Sequence, residues 1–433
     1  MNNRNYENLI IGAEQTDTEI CFDNAATTPP FKSVMAAVCG FAPFYSSVHR
    51  GSGKKSEAAS KLFEQCRKEI LSFVNGDPVH DVLIFTKNTT ESINKLAAAL
   101  ACESRNIVIA TEMEHHSNDL PWRKHFKTFY AETDKAGRLC LNDLEDKLKQ
   151  HKSKVRLVTV TGASNVTGYI NDIHTIAEMA HKYGAEILVD AAQLAPHSEI
   201  DIKKPDTPGH IDYLAFSSHK MYAPFGTGVL IAPKAVFQKT SPEHSGGGTV
   251  NLVTRNNVIW EETPHKDEAG TPNLMGAVAM ASALKTICDV GMNNIAAYEA
   301  ELLKYALKKM SNISGLRLYC DGKETSRIGV IPFNIRKIPH QDLAAALSQE
   351  AGVAVRSGCF CAQPYVQKLL GMDDHTIKYY QNYPDAARPG MVRISFGLYN
   401  TIQEIDRMSD FLSTLTHSNI KEIRKNHEHY KIF

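Results

Sequence analysis

The chain has 433 residues, 43% hydrophobic and 22% charged, enough for two domains around a large core and ordinary for a globular protein. Lysine plus arginine (48) balances aspartate plus glutamate (48), which argues against the basic excess of a nucleic-acid binder and leaves no net field for a membrane surface. Nine scattered cysteines in so long a chain do not form a disulfide framework, so a reducing compartment, the cytoplasm, is the expectation.

The N-terminal segment 1–21 lacks the apolar core of a signal peptide, and no run approaches the length of a membrane span. From residue 82 short β-branched runs alternate with amphipathic stretches. VLIF (82–85) leads into TTESINKLAAAL, then come IVIA (107–110) and VRLVTVT (155–161). IHTIAEMAHKYG has helical spacing, and EILVD (186–190), DYLAFS (212–217) and GVLIA (228–232) follow. This pattern predicts an α/β fold with a mostly parallel central sheet flanked by helices, filling a large domain over 22–285. Ligands of such sheets sit beyond the strand ends, and TKNTTES, TEMEHHSND, TGASNVTG, VDAAQ and FSSHK each follow a strand. From about 286 the character changes: a helix over 293–310, RIGVIPFNI, a further helix, a strand in AGVAVRSG and VRISFGLYN predict a smaller α+β domain over 286–433. The last residues, SNIKEIRKNHEHYKIF, read as a charged terminal helix or frayed tail.

The polar loops carry the chemistry. Thr89 and Thr90 open a helix, where free amides and hydroxyls make a phosphate cradle, although threonine is also a common N-cap. His115, in a loop after a strand, is placed to stack on an aromatic cofactor; with His116 it could instead bind metal, but no further ligand pair stands at the right spacing, so no metal is expected. Asp190 ends an apolar run, a costly place for a carboxylate unless a positive group such as a protonated pyridine nitrogen meets it; capping of a following helix is the alternative. Gln193 could donate to a phenolic oxygen of the same ring. Lys220, in a loop after a buried strand and flanked by Ser217 and His219, is a candidate Schiff-base amine, against the alternative of a surface lysine. In this order, each at a strand end, these residues point to pyridoxal 5'-phosphate (PLP). RSGCFCAQP (356–364) adds Cys359 and Cys361 in a short polar loop, either of which could be a nucleophile, a ligand or a packed side chain.

With FDNAATTPP, VHRGSGKKSE, NTTESIN, EHHSND, SNVTG, VDAAQ, SSHK, SGGGTV, AGTPN, VRSGCFCAQP and VRISFGLYNT, nearly the whole chain resembles the class V, fold-type I PLP-dependent transferases. It is most similar to the group II (SUF-type) cysteine desulfurases and selenocysteine lyases. The resemblance implies that Lys220 carries PLP, that Asp190 pairs with the pyridine nitrogen, and that Gln193 meets the ring oxygen. His115 would stack on the ring, and Thr89, Thr90, Ser217 and His219 would surround the phosphate. Thr271 would reach a partner subunit's phosphate in a homodimer. Arg393 would clamp the substrate carboxylate, with Asn165 and Arg356 lining the pocket. Cys361 would attack the sulfur of L-cysteine (or the selenium of L-selenocysteine), leaving alanine and a persulfide for an acceptor protein, with His115 and Arg356 supplying positive charge. Cys359 is expected to pack rather than react. The long stretch between Cys361 and Arg393 resembles an insertion in molybdenum cofactor sulfurases. Other class V activities, namely aminotransferase, epimerase or C–S lyase, are the alternatives, and a silent scaffold is disfavoured by retention of the full residue set.

Overall fold

The computed structural model describes residues 6–12, 19–101, 104–320 and 326–415. The 418–433 segment read as a terminal helix or tail lies outside them.

A seven-stranded sheet forms the larger unit. Its strands are β1 (Asp81–Thr86), β2 (Ile107–Thr111), β3 (Lys127–Ala131), β4 (Val155–Thr161), β5 (Glu186–Asp190), β6 (Tyr213–Ser217) and β7 (Gly228–Pro233). They lie in the order β1-β7-β6-β5-β4-β2-β3, with every pair parallel except those of β7, which runs against both β1 and β6. Apart from the partly exposed edge strand β3, the runs are short, apolar and β-branched because they are covered on both faces. Successive residues alternate between two cores: Leu83, Ile109, Val158, Val189 and Leu214 face one, and Val82, Ile84, Val108, Leu157 and Leu188 the other. The first face packs beneath helices Lys54–Phe73 and Leu274–Val290. The second face packs against helix Thr89–Leu100 and Trp122.

Helix Leu274–Val290 is apolar nearly all round, as befits its burial between other helices. Among the described residues no single helix is long and apolar enough to cross a membrane.

The smaller unit is a four-stranded antiparallel sheet, β8 (Leu316–Leu318), β9 (Val330–Ile335), β10 (Arg356–Gly358) and β11 (Met391–Ser395), in the order β8-β9-β11-β10. Helices Met292–Met310, His340–Ala351 and Ile402–Thr414 pack on it. Ile20 and Phe22 join this second core, because Ile20–Cys21 pairs in parallel with Val353–Ala354.

The single strand expected in AGVAVRSG is therefore two. Val353–Ala354 pairs with the N-terminal segment, whereas β10 turns to pair with β11. RSGCFCAQP is likewise not one loop: it starts in β10 and ends in helix Gln363–Leu370. The stretch between Cys361 and Arg393 holds that helix and a second one, Asp374–Asn382, which buries none of its residues.

Candidate active site

The parallel strands end together, and their following loops meet the β10–β11 end of the smaller unit. Twelve of the thirteen sequence-predicted site residues line one cleft of about 440 Å³ there; Thr271 is the exception. Thr89 and Thr90 follow β1, His115 follows β2, Asn165 follows β4, Asp190 ends β5, and Ser217 to Lys220 follow β6. Arg356, Cys361 and Arg393 come from the smaller unit.

The helix beginning at Thr89 is capped by Asn88, whose side chain accepts the Glu91 N–H at 3.0 Å. The N-cap is thus not a threonine, and both hydroxyls are available to the cleft wall. The Ser217 hydroxyl meets the Thr89 N–H (2.8 Å) and Oγ1 (2.6 Å), while Thr90 Oγ1 meets Ser117 Oγ at 2.7 Å. Gly228 lets this helix start lie directly against β7: a Cβ there would stand 2.5 Å from the Asn88 Cα. Amides, hydroxyls and a glycine-permitted close approach make a cradle suited to a phosphate.

Across the cleft Lys220 makes no hydrogen bond or ion pair among the described residues, and burial together with the Arg393 charge lowers its pKa to about 8. Asp190 raises it again by its charge. Asp190 is itself pushed up by burial; one oxygen accepts the Ala192 N–H at 3.0 Å, and no helix follows for it to cap. Gln193 donates to the Ala25 carbonyl at 2.6 Å, and its Oε1 is buried without a partner. Such an orphan is costly unless a ligand meets it.

His115 Nδ1 accepts the Ser117 N–H at 3.1 Å, so a neutral ring carries its proton on Nε2. Burial, then the charge of Lys220, pushes its pKa down to about 3, and His219 is lowered to about 4 by the same two causes. The expected positive charge on His115 is therefore absent. The cations coupled electrostatically to Cys361 are Lys220 and Arg393. An unpartnered, half-buried amine, a buried carboxylate, a flat neutral imidazole and a phosphate cradle fit PLP, and Lys220, Asp190, His115 and the Thr89 cradle are the residues that would hold it.

Arg393 is 3% exposed. Its Nη1 donates to the Asn165 carbonyl (2.9 Å), its Nη2 to Asp23 (3.0 Å), and its Nε is buried without a partner. Asp23 also holds Arg356, at 2.8 Å. Cys361 is exposed, next to the buried Phe360 whose ring lies 5.0 Å from the Arg393 guanidinium carbon. Cys359 is half-buried, packed against the cluster of Met113, Val166 and Tyr365, and its thiol is raised by burial.

Asp23, Asn88, Ser117 and Glu114 stand inside the quoted motifs but are given no role by the sequence reading. The argument applied to Asp190, a carboxylate just beyond an apolar strand, applies to Asp23 as well. Glu114 is buried behind His115, accepting from Thr111, Asn118 and the Thr161 N–H, and its carboxyl is pushed up to about 8 by burial. Thr271 is exposed and lines a separate depression with Arg50 and Gly248.

Compared with known proteins, residues 20–408 match the model of the aminotransferase class-V family. A probable cysteine desulfurase of Halalkalibacterium halodurans is 36% identical over 400 residues, covering 90% of this chain and 91% of its own. A cysteine desulfurase of Haloferax volcanii is 32% identical over 406 residues, covering 92% and 89%. Among solved structures, the apo cysteine desulfurase of Thermococcus onnurineus superposes with a TM-score of 0.82 at 31% identity, over 95% of this chain and 98% of the other. An Escherichia coli cysteine desulfurase in its S-sulfonic acid form gives 0.80 at 26% identity, over 96% and 98%.

Proposed function

This chain belongs to the class V aminotransferase family, and we propose that it acts there as a cysteine desulfurase, converting L-cysteine to L-alanine and holding the sulfur on Cys361 as a persulfide. The observation that carries this reading is the shared cleft of Lys220, Arg393 and Cys361, three groups from opposite sides of the fold.

The family implies PLP, which when bound draws electrons from the substrate's α-carbon. The chain's own residues do the rest. Arg393, fixed by Asn165 and Asp23, receives the substrate carboxylate, a task suited to a planar guanidinium. Lys220, an amine that burial holds below the usual lysine range, moves the proton at the α-carbon. The Cys361 thiolate attacks the substrate sulfur. The new S–S bond forms as the C–S bond breaks, and the electron pair left on the β-carbon takes a proton to give alanine. His115, neutral and flat, would cover the ring of the bound cofactor and offers an Nε2–H.

Two extensions belong to this reading. Thr271 lies exposed outside the cleft, which suits a residue that completes the site of a second copy, so the working unit is a homodimer. Cys361 is open to solvent, which suits delivery of its sulfur to an acceptor protein in the reducing cytoplasm.

The test compares alanine formed from L-cysteine, with reductant present, by the PLP-loaded enzyme and by Cys361→Ala. Alanine from the native protein and its loss in the variant support the mechanism. No alanine, or equal amounts from both, sinks it in favour of another class V reaction.

A further inference from the structure

Phe360 and Cys361 both hold φ of +53°, two consecutive non-glycine residues in left-handed backbone. Such a conformation persists only when the surroundings over-determine it. Four hydrogen bonds hold this turn. The Phe360 carbonyl accepts from Asn165 Nδ2 at 2.7 Å, and the Ala362 N–H donates to the Cys359 carbonyl at 2.9 Å.

The other two contacts come from one residue. The His116 N–H donates to the Cys361 carbonyl at 2.6 Å, and His116 Nε2 accepts the Gln363 N–H at 3.1 Å. His116 thus grips the nucleophile's own carbonyl and the amide two residues further on, while its neighbour His115 lines the Lys220 cleft.

We propose that His116 is a positioning residue for the reaction at Cys361: its backbone N–H and imidazole Nε2 hold the strained turn so that the thiol faces the cleft of Lys220 and Arg393. The inference rests on the reading of Cys361 as the sulfur-accepting nucleophile. The imidazole must act as an acceptor at Nε2, which the neutral ring does and the imidazolium cannot. Burial, which lowers the His116 pKa, keeps the ring in that form.

The test uses two polar variants of the PLP-loaded enzyme. In His116→Gln the amide oxygen stands where Nε2 stands and restores the acceptor. In His116→Asn it falls short. The readouts are kcat and KM for alanine formation, the cofactor absorption spectrum, and single-turnover appearance of one extra sulfur on Cys361 by intact-protein mass spectrometry.

The asparagine variant should lose about tenfold in kcat and in sulfur transfer, which is about 1.4 kcal/mol. Its KM and cofactor spectrum should stay native, and the glutamine variant should recover most of the loss. Equal behaviour of the two variants, or loss of the cofactor spectrum in the asparagine variant, overturns the positioning role. If the native enzyme itself adds no sulfur to Cys361, the desulfurase reading has failed instead, and the two failures are distinct.

Discussion

Lys220→Met should stabilise the cofactor-free protein. The lysine ammonium is buried against the charge of Arg393, and its pKa falls from the usual 10.5 to about 8. A lowered lysine pKa means that the charged form is disfavoured in the folded chain relative to the unfolded one. The penalty is therefore full below about pH 8, shrinks as pH rises from 8 towards 10.5, and is gone above that range. At 1.36 kcal/mol per pH unit its ceiling is about 3 kcal/mol; because Lys220 keeps partial access to the cleft, about 2 kcal/mol is the expected gain at pH 7. Methionine conserves the side chain's volume, so repacking subtracts little. Urea unfolding of both cofactor-free proteins at pH 7 and pH 9.5 reads the difference, and titrating groups remote from Lys220 cancel between them. The methionine variant should be the more stable at pH 7, with the gap shrinking by about half at pH 9.5. A variant no more stable than the native chain at pH 7, or a gap independent of pH, would refute the claim that Lys220 is held charged at a cost.

Gly228→Ala should weaken cofactor binding without touching a catalytic group. Its Cβ would meet the Asn88 Cα at 2.5 Å and carbonyl carbon at 2.6 Å, both backbone, so the helix start must move. A stability loss of about 1–3 kcal/mol and about a tenfold weaker PLP affinity by absorbance titration are expected, and native affinity would place the phosphate elsewhere. Cys359→Ser should leave alanine turnover within about twofold of native, since the sulfur packs in an apolar cluster and its nearest polar contact is the Pro389 carbonyl at 3.7 Å. A loss as large as that from Cys361→Ala would instead establish a relay between the two thiols.

The strands were legible because burial on both faces forces continuous apolar runs, as in VLIF and IVIA. What escaped has the opposite property. Helix Leu274–Val290 is apolar all round and shows no periodic face, and β3, KTFYA, is a partly exposed edge strand without an apolar run. The site divides along the same line. Lys220, Asp190 and Arg393 carry chemistry that is unusual for their local setting, so the local sequence betrays them. Asp23 and His116 matter because of what they touch. Asp23 reaches Arg356 and Arg393 across 333 and 370 positions, and His116 reaches Gln363 across 247.

Those long-range ties also settle how Cys361 is placed against Lys220. The lysine belongs to the larger unit and the cysteine to the smaller, so their relation depends on how the two units dock. Ile20–Cys21 is hydrogen-bonded to Val353–Ala354, which sets Asp23 beside β11 and lets one carboxylate bind an arginine from each of β10 and β11. Asn165, from the larger unit, then joins both partners at once: its carbonyl takes Arg393, and its amide takes the Phe360 carbonyl next to Cys361. The arginine proposed to hold the substrate and the thiol proposed to take its sulfur are therefore braced by the same residue, one by its main-chain carbonyl and the other through its side-chain amide. A shift of the smaller unit would pull substrate anchor and nucleophile away from Asn165 together, and change the distance of both from Lys220.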